Sequence, residues 1–363
     1  VKQWSETRAV LAALAALRES GQRGALATVI RVQGSAYRHE GAKLLVREDG
    51  STVGNISGGC LEQDVIEVAR RVMQRGTVER RAWCGGSDEI SAWDLGVGCE
   101  GEVELLITPV TDDRSAERSA LGAERAFAVV TRVDHEAAPR LVVDATDAHG
   151  TLGDAPLDAA AVAHARARLG AEGGELLAHS GAELSVEYLR PPPRVLIVSG
   201  ADDAREVAQL ADRVGFRVVV ADRRPGWLEP ARFPTTVQLV ETAIAEVAQR
   251  VALGPEDFAL VMTHDFADDT AAVGALLASE VGYVGILGPR GRTLRLHSAL
   301  GRDTLTLDPR IHAPVGLDIG TDGAEQVALS IVAELLAVRS GRAPRSLRER
   351  ATRIHDVAAS VLR

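Results

Sequence analysis

The chain has 363 residues, 46% hydrophobic and only 3% aromatic. This composition suits about two layered α/β domains and disfavours all-β sandwiches and aromatic nucleic-acid platforms. With 41 basic against 51 acidic residues the formal charge is −10, which excludes a globally basic nucleic-acid binder. No apolar run is long enough to span a bilayer, so no membrane partner is expected. Val1-Lys2-Gln3-Trp4 opens no signal-peptide pattern, and the three cysteines are too few for a disulfide framework. A reducing, cytoplasmic location is expected.

In chain order, Ser5 reads as the N-cap of a helix with Val10, Leu11, Leu14 and Leu17 on one face, stopped near Gly21. Residues 25–32 read as a strand, 34–41 as a polar loop, 43–47 as a second strand and the region of Val53 as a short third. Then comes Gly54-Asn55-Ile56-Ser57-Gly58-Gly59-Cys60-Leu61-Glu62. Behind it Leu61, Val65, Val68, Ala69 and Val72 recur at helical spacing, which places Cys60 at the first turn of a helix. A thiol there is biased towards thiolate by the partial positive charge of the helix end. Ser57, Gly58 and Gly59 offer backbone donors to an anion. A small buried hydrophobe beside a turn is the equal alternative for Cys60.

Residues 103–107 read as a strand entered through Gly96-Val97-Gly98-Cys99-Glu100-Gly101. Residues 127–133, 141–143 and 183–189 read as further strands, and Asp158 as the N-cap of a helix that stops at Gly170. Pro191-Pro192-Pro193 is a stiff, donor-free spacer, which divides the chain into 1–190 and 191–363. Beyond it, apolar strands at 195–198, 217–221, 236–240, 258–262 and 283–287 alternate with helices, and a last helix covers 323–338. The expected fold class is therefore α/β. A C-terminal Rossmann-like parallel sheet with helices on both faces follows an N-terminal α+β domain that carries two cysteine loops.

Strand, turn, helix and Asp222 at the end of the second strand resemble a dinucleotide-binding unit, with Asp222 placed to meet a ribose hydroxyl. The turn reads Ser199-Gly200-Ala201-Asp202-Asp203-Ala204, so Gly200 stands between Ser and Ala where the fingerprint has glycines. A Rossmann-like sheet without bound NAD is the preferred reading; NAD(P) stays open, weakened by this turn. At neighbouring strand ends, His264 offers an acid, a base or a ligand orienter, and Arg290 and Arg292 offer guanidiniums to phosphate or carboxylate.

Together these segments resemble the XdhC/CoxI family, accessory proteins of molybdenum hydroxylases such as xanthine dehydrogenase. The likeness runs through 34–46 and Ser57-Gly58-Gly59-Cys60-Leu61-Glu62, resumes at 96–103, and covers 195–224, 262–266, 285–293 and 312–341. It implies a chaperone, with no turnover of its own, that binds the molybdenum cofactor, assists its sulfuration by a cysteine desulfurase, and passes it to an apo molybdenum hydroxylase. Cys60 and Cys99 match the family's two cysteine positions and are the implied soft ligands to the metal. The implied cofactor-binding set is Ser57, Gly58, Gly59, Cys60, Gly98, Cys99, Gly200, Asp222, His264, Arg290 and Arg292. The cleft between the two domains is the expected place for it. A homodimer stays open. The competing expectation is an NAD(P)-dependent oxidoreductase on the C-terminal sheet, with His264 as acid/base.

Overall fold

A computed structural model describes residues 2–34, 36–84, 102–112, 114–301 and 308–350. Gly98 and Cys99 lie outside the described residues. The chain divides into two compact units, Lys2–Pro191 and Pro192–Arg363.

In the first unit, α1 (Lys2–Glu19), β1 (Gly24–Gln33), β2 (Lys43–Arg47) and β3 (Thr52–Gly54) precede α2 (Glu62–Arg75), β4 (Glu79–Cys84) and β5 (Glu102–Pro109). The strands form an antiparallel sheet in the order β3-β2-β1-β5-β4. Alternation along β1 decides its two faces. Ala25, Ala27 and Val29 pack under α2 with Val65, Val68, Ala69 and Val72, whereas Leu26 packs under α1 with Val10, Leu14 and Leu17. Helix α1 starts before Ser5, which is therefore no N-cap. Trp4 is buried edge-on against Phe127, and that packing holds the extra turn in place.

A second antiparallel sheet in the same unit is built from β6 (Phe127–Arg132), β7 (Arg140–Asp144), β8 (Ala148–Gly150), β9 (Gly173–His179) and β10 (Ala182–Leu189). Its order is β8-β7-β6-β10-β9. Helix α3 (Ser115–Gly122) covers Phe127 and Val129, and α4 (Ala155–Ala167) covers Ala128 and Val130 on the opposite face. Helix α4 is N-capped at Asp154 with Pro156 in its first turn, a turn earlier than the sequence reading placed it. The Asp158 carboxylate instead accepts from Leu152 N at 2.6 Å and Thr151 Oγ1 at 2.7 Å. The two sheets meet through Ile30, Leu106, Val133 and Ala138, and through the buried ion pair of Lys43 on β2 with Glu187 on β10.

The second unit comprises β11 (Arg194–Val198), α5 (Asp202–Arg213), β12 (Arg217–Asp222), β13 (Gln238–Glu241), α6 (Val247–Val251) and β14 (Phe258–Val261). It continues with α7 (Phe266–Leu277), β15 (Tyr283–Ile286), α8 (Arg290–Ala299), β16 (Ile311–His312) and α9 (Ala324–Ser340). All pairings are parallel, in the order β13-β12-β11-β14-β15-β16. Short apolar runs buried on both faces make this sheet. Val195 and Ile197 face α5 and α9, and Leu196 and Val198 face α6, α7 and α8. The α/β class and the parallel C-terminal sheet expected from the sequence are observed; the second of the two expected cysteine loops lies outside the described residues. The order reverses between β11 and β14, the switch point where open α/β sheets bind ligands.

Candidate functional site

Two regions hold the sequence-predicted residues, one on each unit. In the first unit, Gly54 turns the chain off β3 at φ +98°, with no room for a side chain against the Lys43 carbonyl. Ile56 is buried in the sheet–α2 core and pins the loop that follows. Cys60 is a free, exposed cysteine. It precedes the N-cap, Leu61, and α2 begins only at Glu62, so Cys60 is not in the first helical turn. The buried, inert alternative for this thiol does not hold.

The donors expected to face an anion are largely engaged. Ser57 N donates to Glu62 Oε1 (3.2 Å), and Ser57 Oγ donates to Glu62 Oε2 (2.5 Å). Gly59 N donates to Ser57 Oγ (3.1 Å), and Leu61 N is shared between Ser57 Oγ and Glu62 Oε2, both at 3.2 Å. Glu62 thus serves as the loop's own anion, a variation on the capping box. Among the described residues, the amides of Gly58 and Cys60 have no partner. The Tyr37 ring is 66% exposed and lies alongside Gly58. The loop therefore presents a thiol, an aromatic face and two amide donors to solvent. Sequence reasoning missed Glu62 as the organiser because its spacing from Ser57 is five residues, not the three of a capping box.

In the second unit, Ser199 stands where the fingerprint has its first glycine, at φ 153°, a region that side-chain-bearing residues rarely adopt. Its Oγ accepts from Ala201 N at 3.1 Å and is buried. Backbone strain there costs on the order of 1–3 kcal/mol. Ser199→Gly is therefore expected to stabilise this unit by about 1 kcal/mol after loss of that bond and the added chain entropy of glycine. Urea unfolding measures it; a destabilised variant would mean that the Oγ bond dominates.

Asp222 is 2% exposed, and both its oxygens are committed. Oδ2 accepts from Gly200 N and the Arg224 guanidinium, and Oδ1 from Arg224 N and Nε, all at 2.9 Å. Burial pushes this carboxyl up, but the Arg224 guanidinium and the two amides outweigh burial and hold it below the usual carboxylate range. Gly200 is needed because a Cβ there would lie 2.5 Å from the Trp227 carbonyl oxygen. The Trp227 ring lies between Arg224 and Arg232, with guanidinium carbons 5.4 and 4.6 Å from its centroid.

Four more basic side chains of this edge are also matched by carboxylates of the same chain. His264, at φ 60°, places Nε2 2.6 Å from Asp203 Oδ2. Arg292 binds Asp269 Oδ2 through Nε (2.8 Å), while Asp269 Oδ1 accepts from Thr263 Oγ1 (2.5 Å). Arg232 binds Asp202 (2.9 Å) and Arg223 binds Asp268 (2.9 Å). Arg290 is exposed and has no partner among the described residues. The structure thus brings Gly200 and Asp222 together directly and leaves Arg290 as the open guanidinium.

A parallel Rossmann-like sheet, joined to an antiparallel unit that exposes a cysteine beyond a glycine turn, defines a two-unit α/β protein. The family description "XdhC Rossmann domain" matches residues 195–335, and "XdhC and CoxI family" matches residues 17–81. The chain belongs to the XdhC and CoxI family. It is 29% identical over 336 residues to a probable xanthine dehydrogenase subunit of Bacillus subtilis, covering 90% of this chain and 96% of that protein. It is 27% identical over 326 residues to the molybdenum cofactor insertion chaperone PaoD of Escherichia coli, covering 88% of this chain and 85% of that one. A crystal structure described as a xanthine dehydrogenase from Bacillus halodurans superposes with a TM-score of 0.76 at 29% identity, over 92% of this chain and 97% of that one.

Proposed function

We propose that this protein is a maturation factor for a molybdenum hydroxylase of the xanthine dehydrogenase type. It carries the molybdenum cofactor as cargo, assists its sulfuration by a cysteine desulfurase, and hands it to the apo-hydroxylase. The observation that carries this reading is the exposed Cys60 on an ordered loop, in a chain whose relatives include a named cofactor-insertion chaperone. The donor set suits such cargo. A thiolate is a soft ligand for the metal, and the Gly58 and Cys60 amides are donors for its anionic groups. Gly98 and Cys99 are proposed as the second cysteine position of the same function. Arg290, on the other unit, is proposed as a guanidinium open to phosphate.

The oxidoreductase reading gains no support from this geometry. A ribose hydroxyl needs a free acceptor at Asp222, yet Arg224 and Gly200 occupy both oxygens. A pyrophosphate needs open backbone beside Gly200, where Trp227 is packed.

The test is the Cys60→Ala variant, co-expressed with the hydroxylase and also incubated anaerobically with purified molybdenum cofactor. Cofactor retention by the variant is expected to fall about tenfold or more, the range seen when a metal site loses support. Active hydroxylase should fall with it while the variant's unfolding midpoint is unchanged. Full retention and full activation by Cys60→Ala would remove the thiol from the mechanism.

A further inference from the structure

A groove of about 480 Å³ opens in the first unit, away from the Cys60 loop and outside both family matches in its larger part. It lies at the start of α3 and along β7, with Arg114, Ser115, Ala116, Glu117 and Arg140 in its wall. A smaller polar cavity of about 30 Å³, bounded also by Lys43 and Glu187, shares Arg114 and Arg140 with it. The two guanidiniums therefore stand between an open groove and a closed polar space.

These guanidiniums are incompletely satisfied. The Arg114 side chain is 8% exposed, and its Nε is buried with no hydrogen-bond partner; the same is true of Arg140 Nε. Arg114 donates to Glu117 Oε1 at 3.1 Å through its terminal nitrogen. Arg140 donates to Asp112, whose other oxygen lies 3.3 Å from Arg114 Nε without hydrogen-bond alignment. Buried Glu117 reaches both cations, 3.1 Å from Arg114 and 3.7 Å from Arg140 Nε, and so does Asp112, which is half-exposed at the rim and is the carboxylate of the two that an incoming ligand can displace. Arg114 is also the N-cap of α3, where no side chain caps the helix and its first turn lines the groove. Arg140 is held below the ordinary arginine range, first by burial and next by repulsion from Arg114. Glu117 and Asp112 balance the two guanidiniums in formal charge, yet neither gives the two Nε donors an aligned acceptor.

We propose that this groove binds a small molecule through a phosphomonoester group. The phosphate sits between Arg114, Arg140 and the α3 N-terminus and displaces the Asp112 carboxylate. A phosphate dianion carries more charge than Asp112 and more acceptors, and so can satisfy both Nε donors at once. The groove volume falls in the range of small-molecule sites, so the rest of the ligand has room beside it.

Titration calorimetry on the full chain tests this with inorganic phosphate and with guanosine 5′-monophosphate as a bulky phosphomonoester. Wild type is expected to bind both, the nucleotide more tightly. Asp112→Asn removes the internal competitor at an exposed position and is expected to tighten both about tenfold, whereas Arg140→Gln weakens both by at least about tenfold. Because Arg140→Gln touches a buried group, Asp112→Asn is the deciding variant. No binding by Asp112→Asn, or binding no tighter than wild type, overturns the proposal. Equal affinity for the two probes overturns it in favour of a free-oxyanion site.

Discussion

Lys43→Ala is expected to lower the unfolding free energy of the first unit by about 3–5 kcal/mol, the largest single-residue effect in this chain. Lys43 Nζ is 3% exposed at its side chain and donates to Gly41 O at 3.0 Å and to Glu187, itself 9% exposed. Gln3 Nε2 also donates to Glu187 Oε1, at 3.3 Å. Removing the ammonium leaves a buried carboxylate with only an amide to answer it, which is why breaking such a pair costs more than the pair contributes. The double variant Lys43→Met, Glu187→Leu is expected to recover most of the loss, since apolar side chains of similar volume need no partner. Urea unfolding of the two single variants and the double one measures the coupling. A Lys43→Ala loss under about 1 kcal/mol would show that water reaches the pair and that it behaves like a surface ion pair. The pair is tied to the Cys60 loop through the backbone. The Lys43 carbonyl accepts from Asn55 N at 2.9 Å, so the strand that carries the pair also seats the entry to the Cys60 loop.

Gly200→Ala is expected to destabilise the second unit by about 1–3 kcal/mol, the cost of overpacking a filled site. The added methyl would meet the Trp227 carbonyl oxygen at 2.5 Å and its Cβ at 2.9 Å. Relief requires the 225–227 turn to move, and that turn is held by Asp222 through Arg224 and by Asp202 through Arg232. The expected loss appears with no nucleotide present, which separates it from the usual role of a glycine in this turn, close approach of a pyrophosphate. Thermal unfolding of the ligand-free variant is the measurement. An unchanged midpoint would mean that the turn shifts at little cost and that Trp227 is not fixed against Gly200.

Much of the fold was legible along the chain. The apolar runs at 25–32 and 127–133 marked strands, which the fold buries on both faces, and the short apolar runs at 195–198, 217–221 and 258–262 marked a parallel sheet. Strand β4 was not legible, because Glu79-Arg80-Arg81 shows no apolar period. It pairs with β5, and Arg80 there bonds Glu104 on β5 and Glu183 on β10, at 2.5 Å for the latter. Those ion pairs with distant strands stand in for the missing apolar face.

The candidate site divides along the same line. Local chemistry determined the glycine turn, the helix behind Cys60 and the strand-end positions of Asp222, His264 and Arg292, because backbone freedom and side-chain period act between near neighbours. Only the tertiary structure decided which of those groups stay open. Arg223 finds Asp268 45 residues away, Arg232 finds Asp202 30 residues away, and Arg292 finds Asp269 23 residues away. Lys43 is buried by Glu187 across 144 residues. Charges attract through space and burial strengthens them, so whether a cation is free for a ligand depends on neighbours that only folding supplies.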